Sequence, residues 1–139
     1  MVSIYPYLSR FVLPKGIAMK KILFADDSRL IRERIVPLLE GLGYEVEAVQ
    51  DGQELLDRLE AVPGRFDLVI TDNNMPRLTG LDILRRLKAD ARFRQPPIVV
   101  YSTGDSIRAL VELLGERFVD KCGSINHLLA AIDEACAKK

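Results

Sequence analysis

Histidine and cysteine, which supply the ligands of most zinc and transition-metal sites, are scarce in this chain. Its 139 residues include one histidine, His127, and two cysteines, Cys122 and Cys136. The cysteines fit neither a CxxC pair nor a metal-ligand spacing, so we expect reduced thiols and a cytoplasmic location. His127 falls on a predicted helix with no residue to pair with it, which indicates an ordinary helix residue and not an acid–base catalyst.

An excess of charge of either sign is also missing. The chain has 20 basic and 20 acidic residues, so its formal net charge is +0 at pH 7. A balanced charge creates no overall field toward nucleic acid or anionic lipid, and we expect neither as a partner. The length suits one domain with a single core, and we expect no second catalytic or DNA-binding domain.

Long hydrophobic runs are absent as well, although residues 1–18 are rich in apolar side chains. Pro6, Arg10 and Pro14 interrupt that stretch, so it is too broken to span a bilayer. No positive charge precedes it and no small-residue cleavage site follows it, which argues against a secretory signal. We predict that residues 1–18 are a disordered extension or a mis-assigned start, with an aromatic docking arm as the alternative, and that the domain comprises 19–139.

Short β-rich runs alternate with helical patterns from Lys20 onward. The runs lie near 21–25, 45–49, 67–71, 97–102 and 117–120, which predicts five βα units and a parallel sheet. Within the first, third and fourth runs, residues 22–25, 68–70 and 98–101 are continuously apolar, as expected for central strands covered by helices on both faces. The second alternates polar and apolar residues, which is typical of an edge strand.

Apolar residues recur at helical spacing after each run, and we interpret these stripes as core. The first stripe follows Ser28, a predicted N-cap, and ends at Gly43. The fourth consists of Leu110, Val111, Leu113 and Leu114. The predicted fold class is therefore α/β, with a doubly wound five-stranded parallel sheet flanked by five helices.

Three carboxylates stand where apolar strands end. Asp26 and Asp27 close the first run, and Asp72 closes the third. The C-terminal ends of parallel strands face the crevice in which open α/β sheets bind ligands. Carboxylates that converge there repel one another by several kcal/mol unless a cation binds. With no histidine or cysteine nearby, oxygen ligands indicate Mg²⁺, which favours carboxylates, phosphate oxygens and water, and thus a phosphoryl-handling site.

Two further polar residues follow later strands at the same edge. Ser102 comes after the fourth run and Lys121 after the fifth. Taken alone, the serine would be interpreted as a helix cap and the lysine as a surface charge. Beside the three aspartates they supply a hydroxyl donor and a point charge for a phosphoryl group.

The order and spacing of these motifs resemble the receiver domain of bacterial two-component response regulators. The resemblance covers Met19 to Lys139 and rests on Ile-Leu-Phe-Ala-Asp26-Asp27-Ser, Val-Ile-Thr-Asp72-Asn-Asn-Met75-Pro76, Ser102-Thr103, Lys121 and the segment Leu78-Thr79-Gly80-Leu81-Asp82. It implies a flavodoxin-like fold with strand order 2-1-3-4-5. It also implies a phosphoacceptor and not an ordinary enzyme, because the domain would catalyse only its own phosphorylation and dephosphorylation.

The resemblance further assigns residue roles. Asp72 would accept a phosphoryl group from a histidine kinase or a phosphotransfer protein, and the output would be docking to a downstream protein through the fourth helix and fifth strand. Mg²⁺ would be held by Asp26, Asp27, Asp72 and the backbone carbonyl of Asn74. The phosphoryl group would be bound by Lys121 and the backbone amide of Thr103, with Ser102 and Phe118 as switch residues.

Three features depart from the family pattern. Cys122 stands where a proline with a cis bond usually follows the lysine, and since a cis bond before cysteine costs about 3–4 kcal/mol, we expect a trans bond. The stretch from Ser102 to Lys121 is short by roughly three residues, close to one helical turn, which predicts a truncated or shifted fourth helix. Thr103 replaces a small Ala or Gly and adds bulk at the mouth of the site.

These observations favour a stand-alone phosphoacceptor that signals by protein–protein docking. The alternative is a phosphorylation-independent pseudo-receiver that serves as an interaction module, which the altered fourth-helix region favours. A phosphohydrolase of the haloacid-dehalogenase type is remote, since that family's motif is Asp-x-Asp whereas Asp26 and Asp27 are adjacent.

Overall fold

The computed structural model describes residues 20–90, 96–104 and 106–137, so the predicted extension at 1–18 lies outside the described residues. The described strands form one parallel sheet in the order β2-β1-β3-β4-β5, which confirms the predicted fold class. The elements in chain order are β1 (Lys21–Ala25), α1 (Arg29–Gly41), β2 (Glu45–Val49), α2 (Gly52–Ala61), β3 (Leu68–Thr71), α3 (Gly80–Ala89), β4 (Ile98–Ser102), α4 (Arg108–Leu113), β5 (Arg117–Asp120) and α5 (Ile125–Ala137).

The core lies in two layers, one on each face of the sheet. Alternate residues of β1 face opposite sides, as the pleat of a strand requires. Ile22 and Phe24 are buried with α1 and α5, whereas Leu23 and Ala25 are buried with α2 and α3. The three central strands are therefore covered on both faces, which explains the continuous apolar runs at 22–25, 68–70 and 98–101.

Strand register determines which residues meet at the C-terminal edge. Ala25 pairs with Thr71, and the amide of Asp72 donates to the carbonyl of Ala25 at 2.8 Å. At the ends of the neighbouring strands β4 and β5, the amide of Lys121 donates to the carbonyl of Ser102 at 2.9 Å. The residues that follow β1, β3, β4 and β5 are thus brought to one crevice.

Side-chain caps begin the helices that flank this crevice. Ser28 accepts a hydrogen bond from the amide of Ile31 at the start of α1, as predicted. Thr79 and Asp82 form a reciprocal capping box at the start of α3, an arrangement that stabilises a helix end by about 1 kcal/mol. The helix α1 ends at Gly41, slightly before the predicted Gly43, which takes the positive φ of 98° that suits a glycine after a helix.

The fourth predicted core stripe is partly wrong. Leu110 is 41% exposed and Leu113 is 83% exposed, and of the six residues of α4 only Val111 is buried. The stripe that packs against the core is Ile107, Val111 and Leu114, at spacings of four and three residues, so Leu110 and Leu113 fall on the opposite side. The helix is short, in agreement with the predicted truncation.

Three smaller expectations concern the loops and termini. The bond between Lys121 and Cys122 is trans. Cys122 is exposed and forms no disulfide with Cys136, and His127 is exposed on α5. Within the part of the chain that the structure describes, every helix is too short or too polar to cross a bilayer.

Candidate functional site

The ends of β1 and β3 bring three carboxylates together. One oxygen each from Asp26, Asp27 and Asp72 lie within 4.8 Å of one another. Asp26 and Asp72 are buried, whereas Asp27 is exposed at the mouth of the crevice. The structure thus places the three aspartates that the sequence singled out at one point of the sheet edge.

Lys121, from the loop after β5, is the cation that faces this cluster. Its Nζ lies 2.6 Å from Oδ2 of Asp26 and 3.1 Å from Oδ2 of Asp72, and its side chain is only 11% exposed. Burial by itself would lower the pKa of Lys121, but the two carboxylates outweigh burial and hold it above its usual value. The lysine therefore stays charged beside the aspartates.

Asp26 shows the opposite balance. Burial raises the pKa of its carboxyl group above the usual value, although the ammonium of Lys121 and the amide of Ser28 act in the other direction. The Ser28 amide donates to Oδ1 of Asp26 at 2.9 Å. One lysine thus offsets only part of the cost of burying this carboxylate beside another.

Asp72 is held by donors on both carboxylate oxygens. The hydroxyl of Ser102, which is buried, donates to Oδ1 at 2.8 Å, and the amide of Asn74 donates to the same oxygen at 3.3 Å. Lys121 contacts Oδ2. Thr103, beside Ser102, is exposed at the mouth of the site.

The loop from β3 to α3 folds tightly around Asp72, and Gly80 makes this possible. A Cβ atom at Gly80 would lie 2.6 Å from the carbonyl oxygen of Asp72, a distance that packed atoms do not tolerate. Asn73 ties the loop to the helix, because its side-chain oxygen accepts from the amide of Leu81 at 3.0 Å. The resemblance included Gly80 in a motif, but only the structure shows why a side chain is excluded there.

Arg32 is a site neighbour that sequence reasoning missed. Its guanidinium Nη1 donates to the backbone carbonyl of Asp26 at 2.7 Å. It lies one turn into α1, four residues after the Ser28 cap, on the side of the helix that faces the end of β1. Helical spacing places Arg32 on the same face as Ser28, but no sequence signal indicates that its side chain contacts a backbone carbonyl.

The switch residue that the resemblance named, Phe118, lies inside the molecule. Its side chain is 6% exposed, and the guanidinium carbon of Arg108 lies 4.9 Å from the centre of its ring. Arg108 also donates to the carbonyl of Phe118 at 3.4 Å. A groove of about 450 Å³ adjoins this pair and is lined by residues of α4, β5 and α5, including Glu112, Arg117 and Glu134.

The donor set of the cluster suits a hard cation. All three groups are carboxylates, and neither histidine nor cysteine joins them among the described residues. Oxygen donors favour Mg²⁺ over softer transition metals. With Lys121 on one side and Ser102 on the other, the residues present also fit a phosphoryl group attached to Asp72.

Comparison with known proteins points to one family. The model of the response regulator receiver domain family matches residues 22–133. Response regulator MprA of Mycolicibacterium vanbaalenii is 36% identical over 113 residues, which make up 79% of this chain but only 47% of MprA. The chain therefore spans about half the length of this relative.

Solved structures share the fold. Chemotaxis response regulator CheY4 of Vibrio cholerae is 30% identical with a TM-score of 0.74, over 85% of this chain and 99% of that one. Response regulator protein TrrA of Thermotoga maritima, solved in complex with Mg²⁺ and BeF, is 27% identical with a TM-score of 0.74, over 84% of this chain and 99% of TrrA.

Proposed function

Since the chain belongs to the response regulator receiver domain family, we propose that it accepts a phosphoryl group on Asp72. The observation that carries the proposal is the setting of this one carboxylate. Asp72 is buried, contacts Ser102 and Lys121, and shares its crevice with two further carboxylates. Members of the family are phosphoacceptors and not enzymes in the usual sense, and Asp72 is the acid whose surroundings best suit that role.

The reaction is an in-line transfer. An oxygen of Asp72 forms a bond to phosphorus while the bond from phosphorus to the donor's histidine nitrogen breaks, and the nitrogen keeps the electron pair. Lys121 pairs with a phosphoryl oxygen, and the hydroxyl of Ser102 and the amide of Thr103 donate to others. Little acid or base is needed, because catalysis of phosphoryl transfer consists mainly of positioning and charge stabilisation.

Mg²⁺ is the proposed cofactor. Asp26, Asp27, Asp72 and the backbone carbonyl of Asn74 would hold it, and when bound it would neutralise charge that builds up on the phosphoryl oxygens. The Mg²⁺–BeF complex of TrrA supports this assignment. The same residues would serve dephosphorylation, in which an oxygen of water bonds to phosphorus, the bond from phosphorus to Asp72 breaks and inorganic phosphate is released, so that the protein acts only on itself.

The proposed donor is a cytoplasmic histidine kinase or phosphotransfer protein, and the proposed output is docking of a protein target, not nucleic acid or membrane, to the face of α4, β5 and α5. Phe118 and Ser102 are the proposed switch residues. A second candidate is a constitutive docking module, which the buried ring of Phe118 and the six-residue α4 favour. In that case the docking face would form without phosphorylation.

Intact-mass analysis tests the proposal directly. The protein is incubated with Mg²⁺ and acetyl phosphate beside two variants, Asp72→Asn and Asp57→Asn, the latter removing an exposed carboxylate on α2. We expect one added phosphoryl mass in the parent and in Asp57→Asn, and none in Asp72→Asn. An unmodified parent with an intact fold would leave the constitutive docking module as the better explanation.

A further inference from the structure

The backbone that leads from β1 into the acidic cluster is fixed by two hydrogen bonds. The amide of Asp26 donates to the carbonyl of Val49 at 3.2 Å, and the carbonyl of Asp26 accepts from Arg32 Nη1 at 2.7 Å. That carbonyl belongs to the peptide group joining Asp26 to Asp27. A charged donor at this distance makes a strong hydrogen bond, so Arg32 restrains the peptide group that leads into Asp27.

Asp27 has little else to orient it. It is exposed, and its carboxylate has no hydrogen bond or ion pair with any of the residues that the structure describes. Asp26, in contrast, is held through its side chain by the Ser28 amide and by Lys121. The direction in which Asp27 points into the cluster therefore depends on its backbone.

Arg32 does not act as a counter-ion to the cluster. Among the described residues it forms no salt bridge, and the one described hydrogen bond of its side chain ends on a neutral carbonyl. Lys121 already supplies the cation that contacts the carboxylates. The contribution of Arg32 is thus geometric, and it comes from the helix α1 and not from the site loops.

We propose that Arg32 is a positioning residue that holds the Asp26–Asp27 peptide so that the Asp27 carboxylate is preorganised for Mg²⁺. The inference rests on the proposed function, since it assumes that this cluster binds Mg²⁺. Hydrogen bonds that support metal ligands commonly change metal affinity by about 10- to 100-fold when removed. Such hydrogen bonds usually reach the side chain of a metal ligand, whereas the hydrogen bond from Arg32 reaches the backbone next to Asp27.

The sign of the effect separates positioning from charge. Removal of any arginine near the cluster makes the local field more negative, which by itself would tighten binding of a divalent cation. If Arg32 positions Asp27, its removal weakens Mg²⁺ binding in spite of that field. Arg34 is a matched control, because it is an exposed arginine on the same helix without a described contact to the site.

The experiment is isothermal titration calorimetry with MgCl₂ alone at constant ionic strength. The parent, Arg32→Met, Arg32→Lys and Arg34→Met are compared after circular dichroism has shown that each is folded. We expect about tenfold weaker Mg²⁺ binding in Arg32→Met, an intermediate value in Arg32→Lys because an ammonium can still donate to the carbonyl, and unchanged or tighter binding in Arg34→Met. If Arg32→Met does not fold, Arg32→Lys carries the comparison.

Phosphorylation by acetyl phosphate at increasing Mg²⁺ provides a second readout. A positioning role predicts that Arg32→Met needs more Mg²⁺ but reaches the rate of the parent at saturation. If Arg32→Met and Arg34→Met bind Mg²⁺ equally and the parent binds it normally, the positioning role of Arg32 is overturned, while the proposed function is not. Failure of the parent to bind Mg²⁺ would overturn the proposed cofactor as well.

Discussion

At the scale of a single residue, the burial of Asp26 in the candidate site lowers the stability of the fold. Burial holds the pKa of its carboxyl group above the usual value, so the fold disfavours the ionised form and loses stability as the pH rises past the pKa of the unfolded chain. We therefore predict that Asp26→Asn, without Mg²⁺ and near neutral pH, raises the free energy of unfolding by less than about 3 kcal/mol, the upper end of the desolvation cost of a buried polar group, because Ser28 and Lys121 offset part of that cost.

The pH dependence of this gain provides its check. The gain should shrink as the pH falls through the acid range, because below the pKa of the unfolded chain the parent is also protonated at this position. Urea unfolding of the parent, Asp26→Asn and the exposed control Asp57→Asn at several pH values measures it. Lower stability of Asp26→Asn at neutral pH would mean that the ion pair with Lys121 outweighs the cost of burial.

Gly80 is the second residue at which packing and chemistry meet. A methyl group there would lie 2.6 Å from the carbonyl of Asp72, whereas at Gly41 no atom would lie within 4 Å. We predict that Gly80→Ala lowers the free energy of unfolding by about 1–3 kcal/mol and slows phosphorylation of Asp72, since the loop that holds Asp72 must shift.

Gly41→Ala is the matched control for that substitution. It replaces a glycine near the end of α1, and alanine should stabilise the helix by up to about 1 kcal/mol. Thermal unfolding and the rate of mass gain with acetyl phosphate measure both variants. Wild-type stability and rate in Gly80→Ala would show that the loop yields without moving Asp72.

At the scale of an element, the helix α4 has an inner and an outer side that differ sharply in burial. Val111 is fully buried, while Leu113, two residues later, is 83% exposed. We predict that Val111→Ala costs about 1–3 kcal/mol of unfolding free energy, whereas Leu113→Ala changes it by less than about 0.5 kcal/mol. Parallel urea titrations test the pair, and a similar cost at the two positions would contradict the assigned helix face.

The same helix shows where sequence reasoning about elements stops. The strands could be predicted because residues 22–25, 68–70 and 98–101 form continuous apolar runs, a pattern that buried parallel strands require. Apolar residues fall on more than one side of α4, so periodicity could not separate the inner stripe, Ile107, Val111 and Leu114, from Leu110 and Leu113. Only the position of the short helix on the sheet decides between them.

At the scale of the whole molecule, the candidate site was predictable to the extent that topology determines it. Residues after parallel strands meet at one edge, which is enough to bring Asp26, Asp27 and Asp72 together from the sequence. The contact of Arg32 with the Asp26 carbonyl was not predictable in the same way, because it depends on the direction of α1 as it leaves the sheet. Backbone support of a site leaves little trace in a residue pattern.

The whole molecule should also report cation binding through its stability. A ligand that binds only the folded state raises the free energy of unfolding, by about 2.7 kcal/mol at a concentration one hundred times its dissociation constant. We predict that Mg²⁺ stabilises the parent against urea and has much less effect on Asp27→Asn, which lacks a proposed ligand, while the distant Asp57→Asn behaves like the parent.

For Asp26→Asn we predict that the order of stability relative to the parent reverses as Mg²⁺ is added. Without Mg²⁺ the variant should be more stable than the parent, because a buried carboxylate with a raised pKa is gone. At high Mg²⁺ the order should reverse, because the parent gains binding energy that the variant cannot gain in full. Urea titrations across a Mg²⁺ series would show the two curves crossing. If the two free energies of unfolding rise in parallel with Mg²⁺, Asp26 does not contribute to cation binding. A ligand of the cation must instead make the parent gain more stability from Mg²⁺ than the variant does.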